Sequence, residues 1–489
     1  MKRTLAASLS FLSVLLLVQP LARAQDAAAS AGATARLIGE VFANGRQLSY
    51  VSTLSDDIGS RLTGSAGARR AEEWAEGEFK RLGLSNVRRE PYRMYASWER
   101  GPASAALLSE GLRRPLAVAS YTWTPGTGGA FEGEVVDVGA GKPEDVLRVA
   151  SQLKGRVALV VPEGADLGSV IYNFYRAPGL VRELKEAGAL AVLIAADKPH
   201  SILYTAPVEF SATGRLAALP TLSLAREDVL LLRRLLSQSK RPRLSLNVSN
   251  RVGGAFEATN VVGEIKGSET PNEFVVVGAH LDSNDLGPGA LDNAAGSAAV
   301  LETARAIKAL GLRPRRTVRF VLFTGEEEGM VGSIAYVERH REEMDRTVAA
   351  LVMDIGAGRP VGWFSMGRTD LDAEIRALSA PLSQFGEFAI EHDAFAATDN
   401  APFMAEGVPN LILIQDETPY FPVHHTIADT PDKIDARDFA SSVAALAATA
   451  YAIADARQRF GRRLNSEEVK RMADETKVGE QWRAAGIWK

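Results

Sequence analysis

The chain has no cysteine among its 489 residues, which excludes a disulfide framework, a thiolate metal site, a cysteine nucleophile and a lipidated cysteine. Any metal must therefore be held by histidine and carboxylate. Histidine itself is scarce, with six in the whole chain. An excess of one charge is also missing: 56 Lys and Arg stand against 60 Asp and Glu, a formal net charge of -4. No overall positive field exists to hold a phosphate backbone, so nucleic acid is not an expected partner. The 46% hydrophobic and 24% charged content is ordinary for a soluble globular chain and excludes a disordered or collagen-like one. At roughly 150 residues per domain the length allows about three domains.

The start of the chain is different. Lys2 and Arg3 precede an apolar run from about Leu5 to Val18 that is dotted with serines, followed by Pro20 and the small-x-small pattern Ala22-Arg23-Ala24. This predicts a secretory signal peptide over residues 1–24, cleaved before Gln25. The run is shorter than the ~20 apolar residues that cross a bilayer, and no later run is longer, so no membrane association is expected after cleavage. The expected destination is the periplasm or the extracellular medium, and the absence of disulfides favours the periplasm.

Three textures follow. From about Ala35 to Arg100 the sequence is helix-like, with Trp74, Phe79 and Leu82 expected in the core and Gly83 as a stop. From about Pro102 to Gly254 short apolar strands such as Val157 to Val161 alternate with helix patterns such as Leu180 to Ala187 and Arg226 to Leu236. His200 is alone in this block, without acids clustered around it, and the block is expected to be structural or substrate-shaping. From about Ala258 to Gln458 the runs Phe274 to Ala279, Thr317 to Thr324, Ala349 to Met353 and Asn410 to Ile414 are nearly continuously apolar, as in a sheet covered by helices on both faces. Asn293 to Leu310 is small and helical, ends at Gly311 and Pro314, and has Asp292 placed as its N-cap. The charge-rich residues 461–489 are expected to form a solvated helix or tail.

Potential metal ligands gather at the ends of those four strands, where open α/β sheets bind ligands. The first strand runs into His280-Leu281-Asp282, followed by Asp292; the second into Glu326-Glu327-Glu328; the third into Asp354; and the loop after the fourth carries His424-His425 and Asp429. Each fragment alone has a bland alternative, a helix cap or a dipole-complementing acid. Four fragments at four strand ends, in a chain with six histidines, are hard to assign to coincidence. His340 lies in a charged run expected to be an exposed helix, and His392 and His200 have no ligand-like neighbours.

The strings GAHLDSNDLGPGALDNAAG, RRTVRFVLFTGEEEGMVGS and HHTIADT resemble the di-zinc exopeptidase family of bacterial secreted aminopeptidases and glutamate carboxypeptidases, nearest its plasma glutamate carboxypeptidase branch. KGRVALVV, ELKEAGALAVLIA and LPTLSL resemble a protease-associated domain, and IGSRLTGS around Arg61 resembles the segment that opens the catalytic domain in such enzymes. The resemblance implies an α/β fold in which a mixed sheet with a parallel centre is sandwiched by helices and carries a smaller inserted α/β domain. Its parts would be an N-terminal portion of the catalytic domain at 35–110, the insert at 111–254, the catalytic domain proper at 255–460 and the tail at 461–489.

The same resemblance implies two zinc ions per chain. His280, Asp292 and Asp354 would hold one, and Asp292, Glu327 and His425 the other, with Asp292 bridging. Asp282 would accept the second ring N–H of His280, and Asp429 would do something similar near His425. Glu326 would be the general base toward the attacking water. Glu328 has no counterpart role and is expected at the surface, while Tyr420 and His424 are candidates to stabilise an oxyanion. Small peptides, dipeptides above all, are the implied substrates, and a homodimer is compatible with the family. The rivals are an aminopeptidase of the same family, a receptor-like member without metal ligands, and a one-zinc aminoacyl cyclase. Substrate polarity stays open, since Arg359, Arg368 and Glu391 cannot be placed over the metals from sequence.

Overall fold

The computed structural model describes residues 32–109, 112–164, 167–209 and 215–488; the expected signal segment lies outside them. Among the described residues no helix is long and apolar enough to cross a membrane. The four apolar runs become four adjacent parallel strands, in the spatial order Arg316–Phe323, Thr270–His280, Thr347–Val352 and Asn410–Gln415. Every residue of Arg316–Phe323 and of Thr347–Val352 is buried, because both faces of the sheet are covered. Val275 and Val277 point into one apolar cluster, and Val276 between them points into another on the opposite face.

The first face is covered by two alanine-rich helices, Ala295–Ala309 and Ala436–Asp455, whose small side chains let them lie close to the sheet and to each other. Asp435 caps the second of these, its side chain accepting from the backbone N–H groups of Arg437 and Asp438. The helix Val331–Arg339 covers the second face through Tyr336 and Val337. Four more strands complete an eight-stranded mixed sheet: Phe256–Ile265 and Ser85–Met94 join one side through antiparallel pairings, and on the other Pro360–Phe364 pairs antiparallel with Asn410–Gln415 and parallel with the edge strand Ala389–Glu391. Phe79 is buried as expected, while Trp74 and Leu82 are half-buried against the same core.

A second eight-stranded sheet is drawn entirely from residues Ala103 to Val248. Its centre is parallel, with Phe131–Gly139, Val157–Val160, Ala191–Ala195 and Thr221–Leu224 side by side, and it has an apolar cluster on each face. The helices Leu167–Glu186 and Arg226–Ser237 belong to it.

The end of the chain departs from the expected solvated tail. Helices Ser466–Thr476 and Val478–Ala484 dock on the main core through Val469, Met472, Ala473, Val478 and a fully buried Trp482. The spacing of Val469, Met472 and Ala473 at i, i+3 and i+4 makes an apolar stripe that the high charge of the segment masks. His340 is likewise not on an exposed helix: it follows Val331–Arg339, is mostly buried, and lies 2.9 Å from Glu90 and 3.0 Å from Glu343.

Candidate metal centre

Parallel strands turn their C-terminal loops toward one end of the sheet. His280 is the last residue of its strand, Glu326 and Glu327 follow the strand that ends at Phe323, Asp354 follows Val352, and His425 sits in the loop beyond Gln415. Asp292 joins them from the turn Ala290–Ala294, and it does not cap the helix that follows. That helix begins at Ala295; Asp292 has φ -126° and ψ 86°, and Asn293 takes over the capping, its Oδ1 accepting from Gly296 N at 2.7 Å. The Asp292 carboxylate is turned instead toward the histidines.

His280 Nε2 lies 2.7 Å from Asp354 Oδ1 and 3.2 Å from Asp292 Oδ1. On the other side His425 Nε2 lies 3.2 Å from Asp292 Oδ2 and 3.0 Å from Glu327 Oε2. Asp292 therefore offers one oxygen to each of two triads. Burial raises the carboxyls of Glu326, Glu327 and Asp354 above the ordinary range, and mutual repulsion adds to it. Burial opposes the charged form of His425, yet Glu327 and Asp292 push it up to about 10. This many anionic oxygens around two imidazoles, with no thiolate, is a donor set that suits divalent cations of the zinc type.

The three consecutive glutamates face three ways. Glu327 Oε1 accepts from Asn284 N at 2.7 Å while its Oε2 faces His425. Glu326 is half-buried and lines the cavity over the cluster. Glu328 is not the expected surface acid: it is 1% exposed, and burial together with the nearby Asp282 raises its carboxyl well above the ordinary range. In the tight turn after Thr324 successive side chains diverge, and the third points back under the cluster. Gly325, which opens this turn at φ 73°, has no room for a Cβ, since one would come 2.6 Å from the Tyr92 hydroxyl.

The supporting residues also differ in detail from expectation. His280 Nδ1 is 3.2 Å from the backbone carbonyl of Asp282 and 3.5 Å from its Oδ1, so the carbonyl is the nearer acceptor. Asp282 Oδ2 is occupied by Thr63 Oγ1 and Gly325 N, each at 2.9 Å. Asp429 does not serve His425; it accepts from Leu291 N at 2.7 Å and Asp292 N at 3.1 Å, and so orients the backbone of Asp292. Burial, with Asp292 adding, raises the Asp429 carboxyl to about 7.

Sequence reasoning gave no role to Arg61 or Tyr204. Arg61 is fully buried and donates to the carbonyls of Leu54, Gly59, Leu281, Pro288 and Gly289, tying the His280 and Asp292 loops to the N-terminal helices. Its string carries a likeness and no more, since no local pattern reveals that an arginine will bind carbonyls more than 200 residues away. Tyr204, from the second sheet's unit, stacks on His425 at 5.4 Å, and Thr205 N donates to the His425 carbonyl at 3.2 Å.

A cavity of about 130 Å³ opens over the cluster, walled by Tyr420 and His424 and roofed by Phe174 and Tyr175 of the helix Leu167–Glu186. His424 Nε2 is 3.4 Å from Asp292 Oδ2, and burial beside His425 lowers it to about 3, which keeps it neutral. Arg359, Arg368 and Glu391 line neither this cavity nor its neighbour; Arg368 is instead held by both carboxylate oxygens of Asp370. His200 and His392 are also elsewhere, the first bonded through its backbone to Glu227 and the second to Ser365.

The model of peptidase family M28 matches residues 260–451, which include all five residues of the two triads and Glu326. Carboxypeptidase Q of Rattus norvegicus is 30% identical over 419 residues, covering 85% of this chain and 87% of the relative. The chain belongs to peptidase family M28. This M28 chain is thus a hydrolase of the metallo-exopeptidase class. A solved M28 peptidase precursor from Shewanella amazonensis SB2B superposes with a TM-score of 0.80 at 27% identity, over 90% of this chain and 100% of that one. A zinc aminopeptidase from Bacillus subtilis shares the fold at TM-score 0.64 and 21% identity, over 86% of this chain and 97% of that one.

Proposed function

We propose that this M28 chain is an exported exopeptidase that hydrolyses small peptides, dipeptides above all, with two zinc ions and Glu326 as general base. The observation that carries the reading is the division of Asp292: one carboxylate oxygen faces His280 and Asp354, the other His425 and Glu327. His280 and Asp354 on one side and His425 and Glu327 on the other, with Asp292 between them, would hold the two ions. Bound there, the ions supply Lewis acidity toward the scissile carbonyl and lower the pKa of the attacking water.

The protein's own groups do the rest. Glu326, on the cavity wall and with its carboxyl raised by burial, takes the proton of the attacking water and returns it to the leaving amine. His424 and Tyr420 border the same cavity and are placed to stabilise the oxyanion; a histidine lowered to about 3 stays neutral and can donate an N–H. Asp282 and Asp429 hold His280 and Asp292 in position. Phe174, Tyr175 and Tyr204 narrow the cavity and exclude water, so the unit built on the second sheet, which we assign as a protease-associated domain, shapes the substrate.

Export with removal of residues 1–24 completes the proposal, and the relatives named for carboxypeptidase activity support the peptide substrate. The test combines metal analysis with a panel of unblocked, N-blocked and C-blocked dipeptides. Two zincs per chain and cleavage of unblocked dipeptides are expected. One zinc without peptide cleavage would point to a cyclase, and no bound metal to a receptor.

A further inference from the structure

A second cavity, of about 380 Å³, adjoins the first, and Tyr204 and His424 form part of the wall of both. It lies at the carboxyl ends of the second sheet's parallel strands Val157–Val160 and Ala191–Ala195, where an open parallel sheet receives ligands. Its inner wall is apolar, with Val160, Leu180, Ile194 and Val229. Its charges are unbalanced: Arg176, Lys198, Arg226 and Arg233 line it against Asp197 alone.

Two of those cations are already committed. Arg176 is held by both oxygens of Glu183 at 3.0 and 2.6 Å, and Arg233 by both oxygens of Asp137 at 2.9 and 3.3 Å. The other two are available. Among the described residues Lys198 engages one acid, its exposed neighbour Asp197 at 2.7 Å, a contact that solvent competes for, and Arg226 has no acid partner. The first cavity has the opposite character: its acids are Asp292, Glu326, Glu327 and Asp354, all members of the metal cluster or its base. No further acid remains there to hold a substrate ammonium.

We propose that the second cavity receives the C-terminal residue of the substrate, its apolar side chain against Val160, Leu180, Ile194 and Val229 and its free carboxylate on Lys198 and Arg226. This rests on the peptidase reading above and deepens it: the enzyme would act from the carboxyl end, on peptides ending in a large apolar residue, with specificity set by the inserted unit. Guanidinium and ammonium groups beside an apolar wall discriminate a carboxylate from an amide, because the amide brings no charge to Arg226 and leaves Lys198 with only its solvent-exposed contact to Asp197.

The test measures binding and turnover separately. Zinc-loaded protein carrying Glu326→Gln is titrated calorimetrically with alanyl-leucine and with its C-terminal amide, and native protein is assayed on both. The free acid is expected to bind about tenfold tighter or more, the scale of one charge-assisted hydrogen bond. In the same background Lys198→Met with Arg226→Met should bring the ratio to within about twofold, and Lys198→Arg with Arg226→Lys should retain most of it. An acid-to-amide ratio near one in the parent protein, or a ratio that the double Met variant does not change, would overturn the proposal. The two readings fail differently: preference in binding with no cleavage by native protein sinks the peptidase reaction alone, and cleavage without preference sinks the carboxylate pocket alone.

Discussion

Replacing the three glutamates one at a time by glutamine separates their proposed roles. Glu326→Gln keeps the volume on the cavity wall but removes the basic oxygen, so turnover should fall by the ~10²–10⁴-fold that a positioned general base contributes. At ~1.36 kcal/mol per decade this is about 2.7–5.4 kcal/mol of barrier. Zinc content should not change, because Glu326 sits outside both triads. Glu327→Gln acts otherwise. Its Oε1 accepts from Asn284 N at 2.7 Å and its Oε2 lies 3.0 Å from His425 Nε2, so an amide must turn its NH₂ either against the Asn284 N–H or into the metal cluster. Zinc affinity at that side should drop by more than the ~10–100-fold that outer partners of a metal ligand are worth. Glu328→Gln should leave zinc and turnover near native values, since this side chain points beneath the cluster toward Asp282. The assay is steady-state hydrolysis of an unblocked dipeptide together with metal analysis of each purified variant. A Glu326→Gln enzyme within tenfold of native turnover would refute the base assignment, and a metal-depleted Glu328 variant beside a metal-replete Glu327 variant would shift the registry by one.

Three further outcomes are expected. Arg61→Met strips donors from five carbonyls of the metal-bearing loops and should destabilise the protein by roughly 3–5 kcal/mol in urea titration, whereas a loss under about 1 kcal/mol would show that water replaces the arginine. Burial, with Asp354 and Asp282 adding, raises Asp399 from the ordinary carboxyl value to about 8, so its neutral form stabilises the metal-free fold below about pH 4 and that contribution is lost as pH rises through 8. Asp399→Asn should therefore raise the Tm of metal-free protein more at about pH 8.5 than at about pH 5; equal effects at both would contradict the assignment. Trp482→Ala should cost about 3–5 kcal/mol as a buried large-to-small change and also raise KM, because neighbouring Gln481 accepts from Ala396 N at 2.8 Å on the cavity wall; an unaltered KM would leave the C-terminal helices a purely structural role.

The sequence by itself determined the strands and what stands at their ends. Fully buried parallel strands need unbroken apolar runs, so Phe274 to Ala279, Thr317 to Thr324, Ala349 to Met353 and Asn410 to Ile414 were legible to within a few residues of the observed strands. With no cysteine and six histidines, few residues could serve as ligands, and those following the runs were conspicuous. The tertiary structure decided the rest, because side-chain direction and long-range contacts are not local properties. It turned Asp292 away from the helix it precedes and gave that cap to Asn293. It pointed Glu328 inward, moved Asp429 from His425 to the backbone of Asp292, and buried a C-terminal segment whose charge hides its apolar stripe. Arg61 and Tyr204 carry no pattern in their own neighbourhoods. They reach the site because distant loops close on it, and only the folded chain fixes which loops those are.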